Sequence, residues 1–275
     1  MFTVTGLYRY PVKSLGGIAL TEADVTETGF RNDRRWMLID ENSRYITQRE
    51  FSVMALLVPS INNNQLSIQH KHDPGLSLHV PLEPLLKQFK KVTVWSDHCN
   101  AQLVSKEADE WFSDILHTRC QLVYMPDKAW RRVDGRYARN KEITTFTDGY
   151  PFLMISEESL ADLNTRLEAT LPMDRFRPSI VFNGAKPYEE DLFEHFNIGA
   201  VEFSGVKRCG RCMMTTIDQQ TLATAKEPLK TLASYRFKNN KIYFGQYLLH
   251  HGEGVIATGA EITVTQMKGL VVNSL

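Results

Sequence analysis

The chain has no run of about 18 apolar residues, the least that crosses a bilayer as a helix, so no membrane partner is expected. It has no excess of either charge, with 32 Lys and Arg against 32 Asp and Glu. A general nucleic-acid binder needs a basic surplus to neutralise phosphates, so that class is set aside; a local basic pocket for a small phosphorylated ligand is not. Residues 1–5 lack the charged start and apolar stretch of a secretory leader and read as a strand. The expected compartment is therefore cytoplasmic. Cysteine is scarce: Cys99, Cys120, Cys209 and Cys212. In a reducing compartment these are free thiols or ligands. GxSxG, HExxH, GxGxxG and the kinase motifs are all missing, and the eight histidines form no catalytic arrangement.

What the chain does have is many short β-forming segments. Residues 3–10 alternate aromatic and β-branched side chains up to Pro11, and residues 35–40 and 44–48 read as a hairpin. Further strands are expected near 66–68, 76–80, 92–95, 180–182, 200–203, 213–217, 242–244 and 261–265. Two helices stand out. Residues 107–117 place Ala108, Trp111, Phe112 and Ile115 on one face. Residues 156–167 offer Ser156 as N-cap and Leu160, Leu163 and Leu167 as a stripe. Residues 126–145 break the pattern with Arg131, Arg132, Arg136, Arg139 and Lys141, and read as a connecting loop. The expected fold is mainly β with added helices (α+β): a β-barrel-like domain over 1–125, the loop over 126–145, and a β-barrel domain over 146–275.

Several segments bear chemistry. Cys209 and Cys212 have CxxC spacing. A zinc knuckle needs a second ligand pair, and none is evident. A thioredoxin-like pair normally opens a helix, whereas residues 213–217 are strand formers. A thiolate ligand to a cofactor-borne metal fits Arg208 and Arg211, whose charge favours a thiolate and an anionic cofactor. Two inert cysteines at a strand edge also fit the spacing. Residues 10–17, YPVKSLGG, set a lysine, a serine and two glycines after a strand, the parts of a phosphate cradle without the order of a nucleotide-hydrolysing loop. Arg34 precedes an apolar strand, Arg177 precedes Pro178, and residues 147–151 form a turn before the second helix. Each of these alone is also consistent with an ordinary turn or a surface ion pair.

Together they resemble the MOSC family, the C-terminal domain class of molybdenum-cofactor sulfurases. The nearest subgroup holds the mitochondrial amidoxime-reducing component and bacterial reductases of N-hydroxylated bases. The matching segments run in register along nearly the whole chain: 10–14, 33–34, 46–49, 148–153, 159–164, 176–178, 211–212 with 215–216, 226–232 and 244–246. The resemblance implies a MOSC-type N-terminal β-barrel-like domain and a MOSC β-barrel with a molybdenum cofactor between them. It implies Cys212 as the metal ligand and the residue at the reacting centre. Lys13, Ser14, Arg34 and Arg177 would hold the pterin phosphate and neighbouring polar groups. Asp148, Gly149 and Tyr150 would line the pterin, and Arg211 and Thr215 would flank the metal.

By the same resemblance the activity is reduction of a small N-hydroxylated substrate (N–OH to N–H), with electrons from a separate ferredoxin- or flavoprotein-type donor. The chain has no spare cysteines for an iron–sulfur cluster and no room for the sulfurases' pyridoxal-phosphate domain, so neither cofactor is expected. It departs from the family at Ser179, where asparagine is usual, and at Gly210, where serine is usual. The alternative from the sulfurase side is a sulfur-carrier or cofactor-carrier module with a persulfide on Cys212. The residue 131–141 loop is expected at the substrate mouth.

Overall fold

The computed structural model describes residues 1–138 and 140–269. Arg139, one of the loop cations, lies outside the described residues. Seven strands close into a barrel: Phe2–Arg9, Phe152–Ser156, Ile180–Asn183, Phe193–Ile198, Val201–Gly210, Lys241–His251 and Glu261–Met267. Closure comes at Phe152–Ser156, which pairs parallel with Ile180–Asn183 and antiparallel with Lys241–His251. A closed sheet leaves no unpaired edge. Alternating residues point inward, so Val201 and Phe203 are buried while Glu202 is exposed. Phe196 stacks on Phe203 at 5.5 Å, in the register that pairs them across the strands. Gly205 sits where any Cβ would collide with the Phe193 carbonyl and the Gln246 amide, so only glycine lets these strands approach.

The second lobe is a half-barrel in the order Trp36–Ile39, Gln121–Tyr124, Asp97–Leu103 and Phe89–Val94. A three-stranded sheet, Leu57–Asn62, Gln65–His70 and Asp73–Pro81, lies beside it. Helix α1 (Lys106–Leu116) inserts Ala108, Phe112 and Leu116 into a core with Trp36, Ile68 and Leu122. Ser105 caps it, its Oγ accepting from the Ala108 N–H at 3.1 Å. The two lobes are interleaved. The first strand, Phe2–Arg9, belongs to the C-terminal barrel, and Glu22–Thr26 pairs with Gly254–Ala257. The chain therefore does not pass from one lobe to the other at a single point near residue 125.

Three readings of the sequence need correction. Residues 213–217 are not a strand: Met213–Thr216 form a 3-10 turn. The Thr215 and Thr216 hydroxyls donate to the Cys212 and Met213 carbonyls at 3.0 and 2.7 Å, and such local bonds favour a tight turn over a ladder. Residues 44–48 do not continue as a paired strand; they make isolated bridges only, Tyr45 to Ile39 and Arg44 to Thr93, and beyond them Glu50 draws the Thr47 N–H into a local turn at 3.0 Å. Helix α3 (Leu229–Arg236) was not foreseen, since it buries only Leu232 and shows no apolar stripe. Helix α2 (Glu157–Asn164) does follow Ser156, whose Oγ accepts from the Ser159 N–H.

Beneath α2 lies Glu190, fully buried, accepting from the hydroxyls of Ser156 and Ser159 at 3.1 and 2.8 Å. Burial pushes its carboxyl up to about 7, against the pull of Ser159. An acid whose folded pKa is raised favours the fold below its unfolded value. Stability should therefore fall as pH rises from about 4.5 to about 7, by up to roughly 3 kcal/mol. Urea melts at about pH 5 and about pH 8 should show this loss, and Glu190→Gln should flatten it.

Candidate functional site

Between the lobes lies a cleft enclosing about 850 Å³ of space, its open mouth included. Lys13, Ser14, Arg34, Arg49 and Trp95 line it from the first 100 residues; Asp148, Tyr150, Arg177, Arg211 and Cys212 line it from the rest. The first barrel strand delivers the cradle. Where it ends, Pro11 and Val12 run alongside Trp36, and the Lys13 N–H donates to the Trp36 carbonyl at 2.8 Å. Ser14 then turns at φ 68, its carbonyl held by the Gln48 side-chain amide at 2.7 Å. Arg34 and Arg177 also have left-handed backbones, φ 46 and 54. Such conformations cost of order 1–3 kcal/mol each outside glycine and gather where a site demands them.

Tyr10 organises the cations. The guanidinium carbons of Arg34 and Arg177 each lie 4.3 Å from its ring centroid. Its hydroxyl donates to the Pro178 carbonyl, and its backbone N–H donates to Asp33 Oδ1 at 2.7 Å. Arg34 pairs with the other Asp33 oxygen at 2.5 Å. Arg177 has no ion pair or side-chain hydrogen bond among the described residues. Burial, and after it the repulsion of Arg34, pushes its pKa down to about 10.

Lys13 Nζ donates to the Phe146 carbonyl at 2.9 Å and to Asp148 at 2.5 Å. Burial tends to raise the Asp148 pKa, but Lys13 and Arg34 overcome it and hold the carboxyl well below its usual range. Lys13 is lowered as well, because burial beside Arg131 and Arg34 outweighs its one carboxylate.

Cys212 is exposed, and the other three cysteines are buried. Cys209 Sγ accepts from Arg211 Nη1 at 3.0 Å, and Arg211 Nη2 donates to the Phe176 carbonyl at 2.7 Å. The Arg211 Nε is buried with no partner among the described residues, as are the Arg175 Nε and the Tyr150 hydroxyl. Tyr150 stacks on Tyr247 at 4.7 Å. Eight of the ten residues singled out from sequence thus share one cleft. The other two are not among its lining residues: Thr215 is buried with its backbone N–H and hydroxyl on the Cys212 carbonyl, and Gly149 turns at φ 128 between the lining residues Asp148 and Tyr150.

Among the described residues, none of the 131–141 loop lines the cleft. Its Arg131 points inward to Asp97 and the carbonyls of Thr145 and Thr147, and Arg136 pairs with Asp134. Arg49, Trp95, Met214 and Tyr247 line the cleft instead and were not foreseen as site residues. Arg49 lay within a family segment, so a signal existed. A tryptophan in a hairpin turn carries none.

No three His, Cys, Asp or Glu side chains gather to hold a metal among the described residues. The donor set fits an anionic cofactor that brings its own metal. Among the described residues Arg177 lacks an ion-pair partner and the buried Nε atoms of Arg175 and Arg211 lack acceptors, and an exposed thiol stands at the same cleft.

The comparisons with known proteins agree on the family. Residues 1–119 match the MOSC N-terminal beta barrel domain and residues 141–263 match the MOSC domain. Mitochondrial amidoxime-reducing component 1 of Mus musculus is 32% identical, over 94% of this chain and 80% of its own. Mitochondrial amidoxime reducing component 2 of Rattus norvegicus is 33% identical, over 85% and 72%. Molybdenum cofactor sulfurase of Oryza sativa subsp. japonica is 31% identical, over 94% of this chain and 34% of its own. The chain belongs to the MOSC family, pairing a MOSC N-terminal β-barrel domain with a MOSC domain.

Proposed function

We propose that this protein is a molybdenum-dependent oxidoreductase that reduces N-hydroxylated compounds. Its two domains would be those matched above, with the molybdenum cofactor between them. The observation that carries the cofactor reading is the convergence of Lys13, Arg34 and Arg177 on one cleft, with Arg177 unpaired among the described residues. A dianionic phosphate takes several charge-assisted donors, each contributing about 1.5–3 kcal/mol. Lys13, Ser14, Arg34 and Arg177 would hold that phosphate. Asp148, Gly149 and Tyr150 would border the pterin, and Cys212 would ligate the metal with Arg211 beside it. Thr215 would fix the carbonyl of Cys212 and so the aim of its thiol. When bound, the cofactor supplies two-electron redox chemistry. The chain ligates it, orients it and shapes the space for substrate.

Overall, N–OH plus two electrons and two protons gives N–H and water. The relatives named for amidoxime reduction support this substrate class. The electrons would come from a separate ferredoxin- or flavoprotein-type donor. The proposed compartment is the cytoplasm; the amidoxime-reducing relatives are mitochondrial by name. Among the described residues no helix is long and apolar enough to cross a membrane. The test is turnover of an aromatic amidoxime by cofactor-loaded protein with a chemical reductant: amidine formation supports the reading, and its absence in fully loaded protein contradicts it. One observation favours a second reading, a sulfur carrier: Cys212 is the single exposed thiol among four. A persulfide on Cys212 without molybdenum, seen by mass spectrometry, would select it.

A further inference from the structure

The mouth of the cleft holds an arrangement to which the proposed cofactor contacts assign no role. Trp95 sits in the turn between Phe89–Val94 and Asp97–Leu103 at φ 56. A left-handed backbone costs a bulky residue of order 1–2 kcal/mol, so this turn spends stability to place an indole here. The indole N–H donates to Asp148 at 3.3 Å, which ties the ring to the cleft wall. The Arg49 guanidinium lies over the ring at 4.8 Å, and Tyr45 leans on it at 5.3 Å. Trp95 is still 46% exposed, so much of its surface is open to a ligand.

Arg49 is held as firmly. Its Nε donates to the Thr47 hydroxyl and its Nη2 to the Tyr45 hydroxyl, both at 3.3 Å. Its Nη1 donates to nothing among the described residues. Burial lowers its pKa, but Tyr45 and then the fields of Cys212 and Asp148 raise it further. The guanidinium thus stands within electrostatic reach of the thiol proposed to ligate the metal. Of the charged side chains lining the cleft, Lys13, Arg34, Arg49, Arg175, Arg177 and Arg211 are cations and Asp148 is the one carboxylate among the described residues. A phosphorylated cofactor would neutralise the inner cations. Arg49, at the mouth, would keep its charge for the substrate.

We infer that Trp95 and Arg49 form a substrate platform that selects flat, uncharged N-oxygenated compounds. The π face of the substrate lies against the indole, and its oxygen accepts from Arg49. This rests on the reductase reading above. It also accounts for product release. An amidoxime is a weak base and neutral near pH 7, whereas the amidine it becomes is a strong base and takes up a proton. The reaction turns an uncharged ligand into a cation beside Arg49, and the platform expels it.

The test uses cofactor-loaded protein in two arms, with molybdenum content measured in every variant. In the kinetic arm, Trp95→Ala should raise KM for an aromatic amidoxime about tenfold and leave kcat within about twofold, and Trp95→Phe should restore most of the affinity. An unchanged KM in Trp95→Ala, at unchanged molybdenum content, overturns the inference. In the binding arm, two flat redox-inert probes of the same shape are titrated by calorimetry: neutral benzamide and cationic benzamidinium. Wild type should bind benzamide about tenfold more tightly, and Arg49→Met should narrow the ratio to about twofold. Equal binding in wild type, or a ratio unmoved in Arg49→Met, overturns it. If the probes behave as expected but no N-hydroxylated compound turns over, the reductase reading fails and with it the substrate class, while Trp95 and Arg49 stand as a site for flat neutral ligands.

Discussion

Replacing Cys212 by alanine is expected to remove molybdenum from the protein while leaving most of the pterin bound. The proposed phosphate donors Lys13, Arg34 and Arg177 come from segments distant in sequence from residue 212 and do not depend on its thiol. Removing a metal ligand should cost at least the ~100-fold in activity that loss of an outer-shell partner costs. Cys209→Ala is the matched control. Cys209 is buried and holds Arg211 through its sulfur, so its loss should alter packing modestly and leave the metal in place. Metal analysis of the two variants, with pterin measured after oxidation to its fluorescent form, reads the outcome directly. Equal molybdenum in both variants would take the ligand role away from Cys212.

Arg177→Met should have the opposite signature. The guanidinium is desolvated, sits beside Arg34 and has no counterion among the described residues, so in cofactor-free protein it is a liability. The variant without cofactor should be as stable as wild type, or more stable by about 1 kcal/mol. Its affinity for the pterin phosphate should fall by roughly 10- to 100-fold, the loss of one or two charge-assisted donors. Thermal melts of cofactor-free protein and pterin retention through a desalting column separate the two effects. A variant that is strongly destabilised without cofactor would mean that Arg177 is a structural residue.

Much of this was legible in the sequence where the signal is local. Ser156 announces its helix because an N-cap needs a short hydroxyl side chain at one position, and α1 was read from its apolar face. The cradle residues were found one segment at a time, since Lys13 and Ser14 stand just after a strand, Arg34 just before one and Arg177 before a proline. That they meet is a property of barrel closure, which brings the start of the chain beside residues 180–183. No local pattern encodes that meeting; it became expected through the resemblance of many segments in register. The same long-range pairing is why residues 2–9 turned out to belong to the C-terminal barrel. The 213–216 turn was misread because threonine favours strands on average, while here two threonine hydroxyls bond to nearby carbonyls. Trp95 was missed for a related reason. Its turn is short, and its backbone strain shows only in the folded chain.

These features share one logic. The barrel is closed, and its rim supports left-handed backbone at Arg177, as the adjoining turns do at Ser14 and Arg34. Cations set in place this way would leave the cleft, on the proposed reading, organised for a multiply charged anion before one arrives. The measurement that tests this most directly is the molybdenum and pterin content of freshly purified protein from a host that makes the cofactor. The account predicts close to one molybdenum and one pterin per chain. Protein that carries neither, although correctly folded and made in such a host, would contradict it.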